Sequence, residues 1–178
     1  MIGASTRYTE HYHEVMKALT SRGLLLAAYD ASAKPNLMTI GWGSIGSIWG
    51  MPIWTVLVRP SRYTYQCIEH SGCFTVNVPT EAMAMACSAC GAKSGRDSDK
   101  FAQAGLTSRQ ASVVKAPEVV ECPIVYQCQV VHANDVMPAK LVGSIAEGSY
   151  AGEDYHRIYY GKILAMRVDA DASLRLGG

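Results

Sequence analysis

The chain has 178 residues, enough for one domain with a sizeable core and too few for two of ordinary size. Lysine and arginine number 16 against 15 aspartates and glutamates, so a formal charge of +1 offers no global field to attract a nucleic acid or an acidic membrane. Apolar residues make up 49% against 17% charged, and part of that apolar excess is expected at a homodimer interface.

The first residues lack the charged-then-apolar pattern of a secretory leader, and no apolar run approaches bilayer length, so a cytoplasmic location is expected. Tyr8, Tyr12, Val15, Met16 and Leu19 recur at helical spacing and predict an amphipathic helix over 7–20, ended by Gly23. Strands follow over 24–29 and 37–42, joined by a turn of small residues that ends in Pro35. Residues 51–58 and 73–78 supply two more strands, with a short helix over 63–70 between them. The alanine- and methionine-rich stretch 81–90 reads as a helix, and 97–104 as another that Gly105 stops. From residue 124 onward the pattern is β: 124–131, 141–147 and 162–168.

Strands dominate and do not alternate with helices as a βαβ sheet requires, which favours a mainly β fold, a closed or nearly closed antiparallel barrel with short helices, as one domain over 1–178. Cys67, Cys73, Cys87, Cys90, Cys122 and Cys128 all fall inside predicted elements, and reduced, buried thiols are expected of them in a cytosolic setting. Cys87 and Cys90 form a C-x-x-C, but no second such pair and no thioredoxin-like setting accompanies it. No histidine pair has metal-binding helical spacing, and His11 and His13 point to different faces.

The chemistry concentrates in three blocks. Arg59-Pro60-Ser61-Arg62-Tyr63-Thr64 follows an apolar strand and opens a helix. Such a turn offers backbone N–H groups, Ser61 as an N-cap and two guanidiniums, which together resemble a phosphomonoester cradle. Upstream, Asn36-Leu37-Met38-Thr39-Ile40-Gly41-Trp42-Gly43-Ser44 carries glycines that in a strand mark close approach of a ligand or another backbone. Downstream, Lys93-Ser94-Gly95-Arg96-Asp97-Ser98-Asp99-Lys100-Phe101 adds a local cationic cluster.

In this order the three blocks resemble the flavin reductase-like family, whose members bind FMN in a split β-barrel and include flavoredoxins and short-chain flavin reductases. The resemblance covers most of the chain and implies the same FMN-binding split barrel, a homodimer with the flavin near the subunit interface, and electrons from NAD(P)H or a redox protein. On it, Arg59, Ser61, Arg62, Tyr63 and Thr64 would hold the phosphate, with bidentate bonds that lysine does not duplicate. The backbone of Met38, Thr39, Ile40, Gly41, Trp42, Gly43 and Ser44 would meet the ring, while Trp42 either stacks on it or fills the barrel. Asn36 and Asn77 are polar residues in apolar strands and further candidates, Asn77 alternatively a strand-end turn-former. Lys93 and Ser94 lie in the loop that approaches the cofactor; His132 can donate to the ring or stand in solvent, and Tyr159 can cap the ring.

The implied activity is hydride transfer from NAD(P)H to flavin N5, for which no side chain need act as acid or base. An FMN-containing electron carrier without nicotinamide activity is the alternative, and a ligand-binding barrel that has lost flavin is a third.

Overall fold

The computed structural model describes residues 8–177. Helix α1 (Tyr12–Ser21) leads into the hairpin β1 (Leu24–Tyr29) and β2 (Pro35–Ile40), followed by a second hairpin, β3 (Gly43–Ile48) and β4 (Met51–Val58). Helix α2 (Tyr63–Ser71), β5 (Cys73–Val78), α3 (Ala84–Ala92) and α4 (Lys100–Ala104) come next, then two short strands, β6 (Ser108–Gln110) and β7 (Pro117–Val119). The long strands β8 (Ile124–Asp135) and β9 (Arg157–Val168) flank α5 (Gly143–Ser149), and α6 (Ala172–Leu176) ends the described chain. Arg7, the expected start of the first helix, lies outside the described residues.

Seven strands form one antiparallel sheet in the order β2-β1-β5-β8-β9-β4-β3, so β2 and β3, adjacent in sequence, are its two free edges. Only Gly41 and Trp42 separate those edges in the chain. The sheet therefore curls into a barrel that stays split at that seam. Alternate residues of its strands fill the interior, where Trp54 and Tyr126 meet edge to face with ring centroids 5.8 Å apart, and Phe74, Val76 and Ile163 pack around them. Gly161 has to be glycine, since a Cβ there would overlap the Phe74 ring. Helix α2 contributes Cys67 and Ile68 to this core.

The unbroken apolar run of β1 is explained by burial on both faces. Leu24, Leu26 and Ala28 face the barrel interior, whereas Leu25 and Ala27 join Leu37, Cys87, Cys90, Phe101 and Val125 in a second cluster beneath α3 and α4. All six cysteines are unpaired and buried. No helix among the described residues is long and apolar enough to cross a membrane.

Three expectations are corrected, and for His132 the structure has the solvent-exposed alternative. The strand expected over 141–147 is instead a turn and α5: the amides of Ile145 and Ala146 both donate to the Val142 carbonyl, at 3.0 and 3.2 Å, because this stretch lies beyond the ladder between β8 and β9 and has no strand to pair with. Asn77 is not at a strand end facing a ligand. It is fully buried in β5, its Nδ2 donating to the Leu25 carbonyl at 3.0 Å and its Oδ1 accepting from the Val119 amide at 2.8 Å, so it fastens β7 onto the barrel. Tyr159 is buried in the core and donates its hydroxyl to Glu69 at 2.7 Å. His132 continues β8 past its expected end and stands exposed beside Tyr160 and Trp49, at centroid distances of 5.3 and 5.8 Å.

Replacing Asn77 by alanine strands a buried amide and a buried carbonyl. Asn77→Ala should destabilise the fold by about 2 kcal/mol or more. Urea unfolding checks this, and a variant as stable as the parent would rule out the bracing role.

Candidate functional site

Because β2 is an edge strand, the outward backbone groups of Met38, Thr39 and Ile40 have no strand to pair with. They border a cavity of about 190 Å³ that is also lined by Gly41, Trp42, Leu57, Arg59, Arg62 and His156. Thr39 is fixed from the other side, its hydroxyl donating to the Cys87 carbonyl of α3 at 2.5 Å. A narrow cavity beside unpaired amides and carbonyls, walled by an indole and an imidazole, suits a planar heterocycle with a hydrogen-bonding edge.

A second cavity, of about 120 Å³, adjoins the first and shares Met38 and Arg62 with it. Ser61, Tyr63, Thr64, Lys93, Ser94, Arg96 and Lys100 line it, so four cationic side chains surround it and no carboxylate does. It also receives the start of α2, where Arg62, not Ser61, is the N-cap and no side chain caps the first turn. Free helical N–H groups together with fixed cations define a site for a small dianion. Arg96 is held in place by donating to the Ser61 carbonyl at 3.1 Å, with its guanidinium 5.4 Å from the Tyr63 ring centroid.

Asn36 lies just behind this cavity, buried, and donates to the Thr64 hydroxyl at 2.7 Å. Gly95 packs directly on it, where any Cβ would overlap Asn36 Oδ1. Asn36 thus supports the cradle without lining it.

The segment before β9 closes over the first cavity. Arg59 donates to the carbonyls of Asp154 and Ser149, at 2.6 and 2.8 Å, and lies 5.1 Å from the centroid of the Tyr150 ring. Tyr150 in turn bonds His156 Nδ1 at 2.8 Å, and His156 packs against Trp42 at 4.9 Å between centroids. Ser61 donates to the Asp154 carboxylate at 2.5 Å. Arg59 is therefore a clasp for residues 149–154, and it lines the first cavity and not the second. Burial, reinforced by the Arg59 charge, holds His156 well below the usual imidazole range, at about 4. It is a neutral wall of the cavity at physiological pH.

The structure thus gathers Met38, Thr39, Ile40, Gly41, Trp42, Arg59, Ser61, Arg62, Tyr63, Thr64, Lys93 and Ser94 around two joined cavities. It leaves Gly43, Ser44, Asn77, His132 and Tyr159 outside them. Gly43 serves the barrel, because a Cβ there would sit 2.7 Å from the Thr55 carbonyl of the paired strand β4. Sequence reading missed Leu57 and His156 as lining residues and had Arg96 and Lys100 only as members of a local cationic cluster suited to a small anion. The signal for the last two was present in the charged block 93–100, whereas His156 had only its place at the head of the last strand.

A phosphate-sized cationic recess joined to a planar slot at the seam of a split barrel is the arrangement of a flavin-nucleotide-binding protein. The family model for the flavin reductase like domain matches residues 16–176, and the chain belongs to that family. Among solved structures it is similar to the flavoredoxin of Desulfovibrio vulgaris (28% identity, TM-score 0.69, covering 84% of this chain and 70% of that one). It is likewise similar to a flavoredoxin from Methanosarcina acetivorans (26% identity, TM-score 0.67, 84% and 69%). A Shewanella frigidimarina protein with a split-barrel domain shares the fold at 21% identity, with TM-score 0.67 and coverage of 94% and 76%. No curated protein matches the chain.

The depressed pKa of His156 makes stability depend on pH. The unfolded chain takes up the imidazole proton near the ordinary value of about 6.5, while the folded chain resists until about 4. Stability present above the first value should drain away as pH falls toward the second. Urea midpoints for the parent and His156→Gln across this window are the check: the parent should lose more stability on acidification, and equal losses would contradict a buried neutral imidazole.

Proposed function

We propose that the protein binds FMN, with the phosphate in the cationic cavity and the isoalloxazine in the slot beside β2, and that it is an NAD(P)H-dependent flavin oxidoreductase. The observation that carries this reading is the junction of the two cavities at Met38 and Arg62, which lets one ligand present a dianion to four cations and a flat ring to an unpaired strand edge. The residues fit the group: no carboxylate lines the anion cavity to compete with a phosphate. When bound, the flavin supplies a hydride-accepting N5 and passes the electron pair onward.

The chain's own residues bind, orient and shield. Arg62, Lys93 and Arg96 would compensate the phosphate, with Ser94 and Thr64 as neutral partners. Backbone groups of residues 39–41 would fix the edge of the ring, and Trp42 with His156 would narrow the slot and keep water from it. His156, neutral and bonded to Tyr150, has no proton to give at physiological pH. Hydride transfer then depends on alignment over the ring, with a rate that varies gently across neutral pH.

Similarity to two flavoredoxins favours a second reading, an electron carrier fed by a redox protein. A homodimer is part of the proposal, supported by exposed apolar side chains such as Trp49, Met137 and Val142. Sedimentation tests it, and a colour-retaining monomer would exclude it. Six unpaired, buried thiols suit a reducing, cytoplasmic setting.

The visible spectrum of the purified protein, with acid release and chromatography, tests for FMN directly. Arg62→Ala should weaken FMN binding by about tenfold or more and riboflavin by less, since Arg62 borders both cavities but its charge-assisted bond is to the phosphate. Arg59→Ala should instead weaken both ligands alike, because it loosens residues 149–156 over the ring. Equal affinity of the parent for FMN and riboflavin would refute the phosphate assignment. Anaerobic stopped-flow mixing with NADH and NADPH tests the donor. Bleaching by neither, but by a reduced iron–sulfur protein, would establish the carrier reading.

A further inference from the structure

Lys100 is the one cation of the anion cavity that is buried, at 8% exposed. Its amine donates to the Cys90 carbonyl at the end of α3, at 2.8 Å, and among the described residues it makes no ion pair. An ammonium has three donors, so two remain for whatever fills the cavity.

The charged and titratable groups around it come from every neighbouring element. Arg62 and Tyr63 approach from the start of α2 and Cys67 from within it, Cys90 from α3, and Lys93 and Arg96 from the connecting loop. The nearest carboxylates in sequence, Asp97 and Asp99, do not line the cavity, and Asp99 accepts from the Ala102 amide as the cap of α4. A cation without a counter-charge, packed among thiols and other cations, is costly to leave alone.

We propose that Lys100 is the counter-charge that meets the phosphate from the floor of the cavity, and that binding a flavin phosphomonoester is coupled to proton uptake on its amine. This rests on the FMN reading above. Burial pulls the Lys100 amine below the ordinary lysine range, and the Arg62 charge adds to that pull. A dianion beside it acts in the opposite direction and favours the ammonium. Wherever the amine of the free protein is partly deprotonated, the ligand therefore draws protons onto it.

The neighbouring thiols do not imitate this signal. Burial pushes Cys67 up to about 12, where it holds its proton with or without ligand, and raises Cys90 as well. The phosphate is already fully ionised well above its second pKa of about 6.

Calorimetric titration of the purified, flavin-depleted protein, in buffers of differing ionisation enthalpy, reads the proton count. The useful range is alkaline but below the ordinary lysine pKa of about 10.4. FMN should take up protons, and riboflavin, which shares the ring and lacks the phosphate, should not. Lys100→Arg stays charged throughout and should keep FMN affinity while losing the uptake. Lys100→Met should lose the uptake and about tenfold or more of FMN affinity, with riboflavin unchanged. Buffer-independent FMN binding by the parent, or uptake that survives Lys100→Arg, overturns the assignment while leaving the FMN reading in place. Failure of FMN to bind at all removes both.

Discussion

One buried hydrogen bond, from Asn36 to the Thr64 hydroxyl, joins the parts from which the site is made. It ties the free edge of the sheet to the helix whose N-cap is Arg62, and Gly95 seats the cationic loop on the same point. A strand edge, a helix start and a loop thereby meet with almost no room for adjustment. Met38 then stands between two cavities whose walls are fixed by the same junction. An amide–hydroxyl pair suits this place because each partner is satisfied only while the three segments stay together, so the junction is cooperative in the sense that buried polar networks are.

The blocks that carried the family resemblance were legible because their chemistry is local. A strand, a turn and a helix start within six residues put Ser61, Arg62 and Thr64 together wherever the rest of the chain goes. Asn77 shows the limit of that logic: a polar residue in an apolar strand has the same appearance whether it faces a ligand or braces the core. What decides is the Val119 amide, which comes from a three-residue strand too short for periodicity to reveal. Arg59 differs for a related reason, since its carbonyl acceptors at Ser149 and Asp154 lie in a connection with no regular pattern. Strand β3, Gly43-Ser44-Ile45-Gly46-Ser47-Ile48, was invisible because its glycines argue against a strand when read alone; pairing with β4 overrides propensity.

The cationic cavity and the neutral slot also divide the electrostatics of the site. In the second cavity, charge accumulates without carboxylate relief, which favours an anionic ligand. At the other end, Arg59 gives its hydrogen bonds to backbone carbonyls and lies over the face of Tyr150, and burial, reinforced by the Arg59 charge, keeps His156 neutral. Two guanidiniums three residues apart thus differ in setting: Arg62 borders both cavities, while Arg59 holds residues 149–154 over the first.

The wall over the ring cavity and the spine of the barrel are parts of a single long hairpin, with β8 and β9 each 12 residues long and residues 136–156 as the link. The ends of that link are anchored in the most extended ladder of the sheet, while Arg59 fastens only its last stretch. Loop closure penalises added length weakly, by about 0.6 kcal/mol per doubling. The portion from Met137 to Gly148 is thus a place where the chain can lengthen, shorten or diverge at little cost to the barrel. Variants of this scaffold can therefore acquire new surfaces beside the ring cavity while the phosphate cradle, built from other segments, stays as it is.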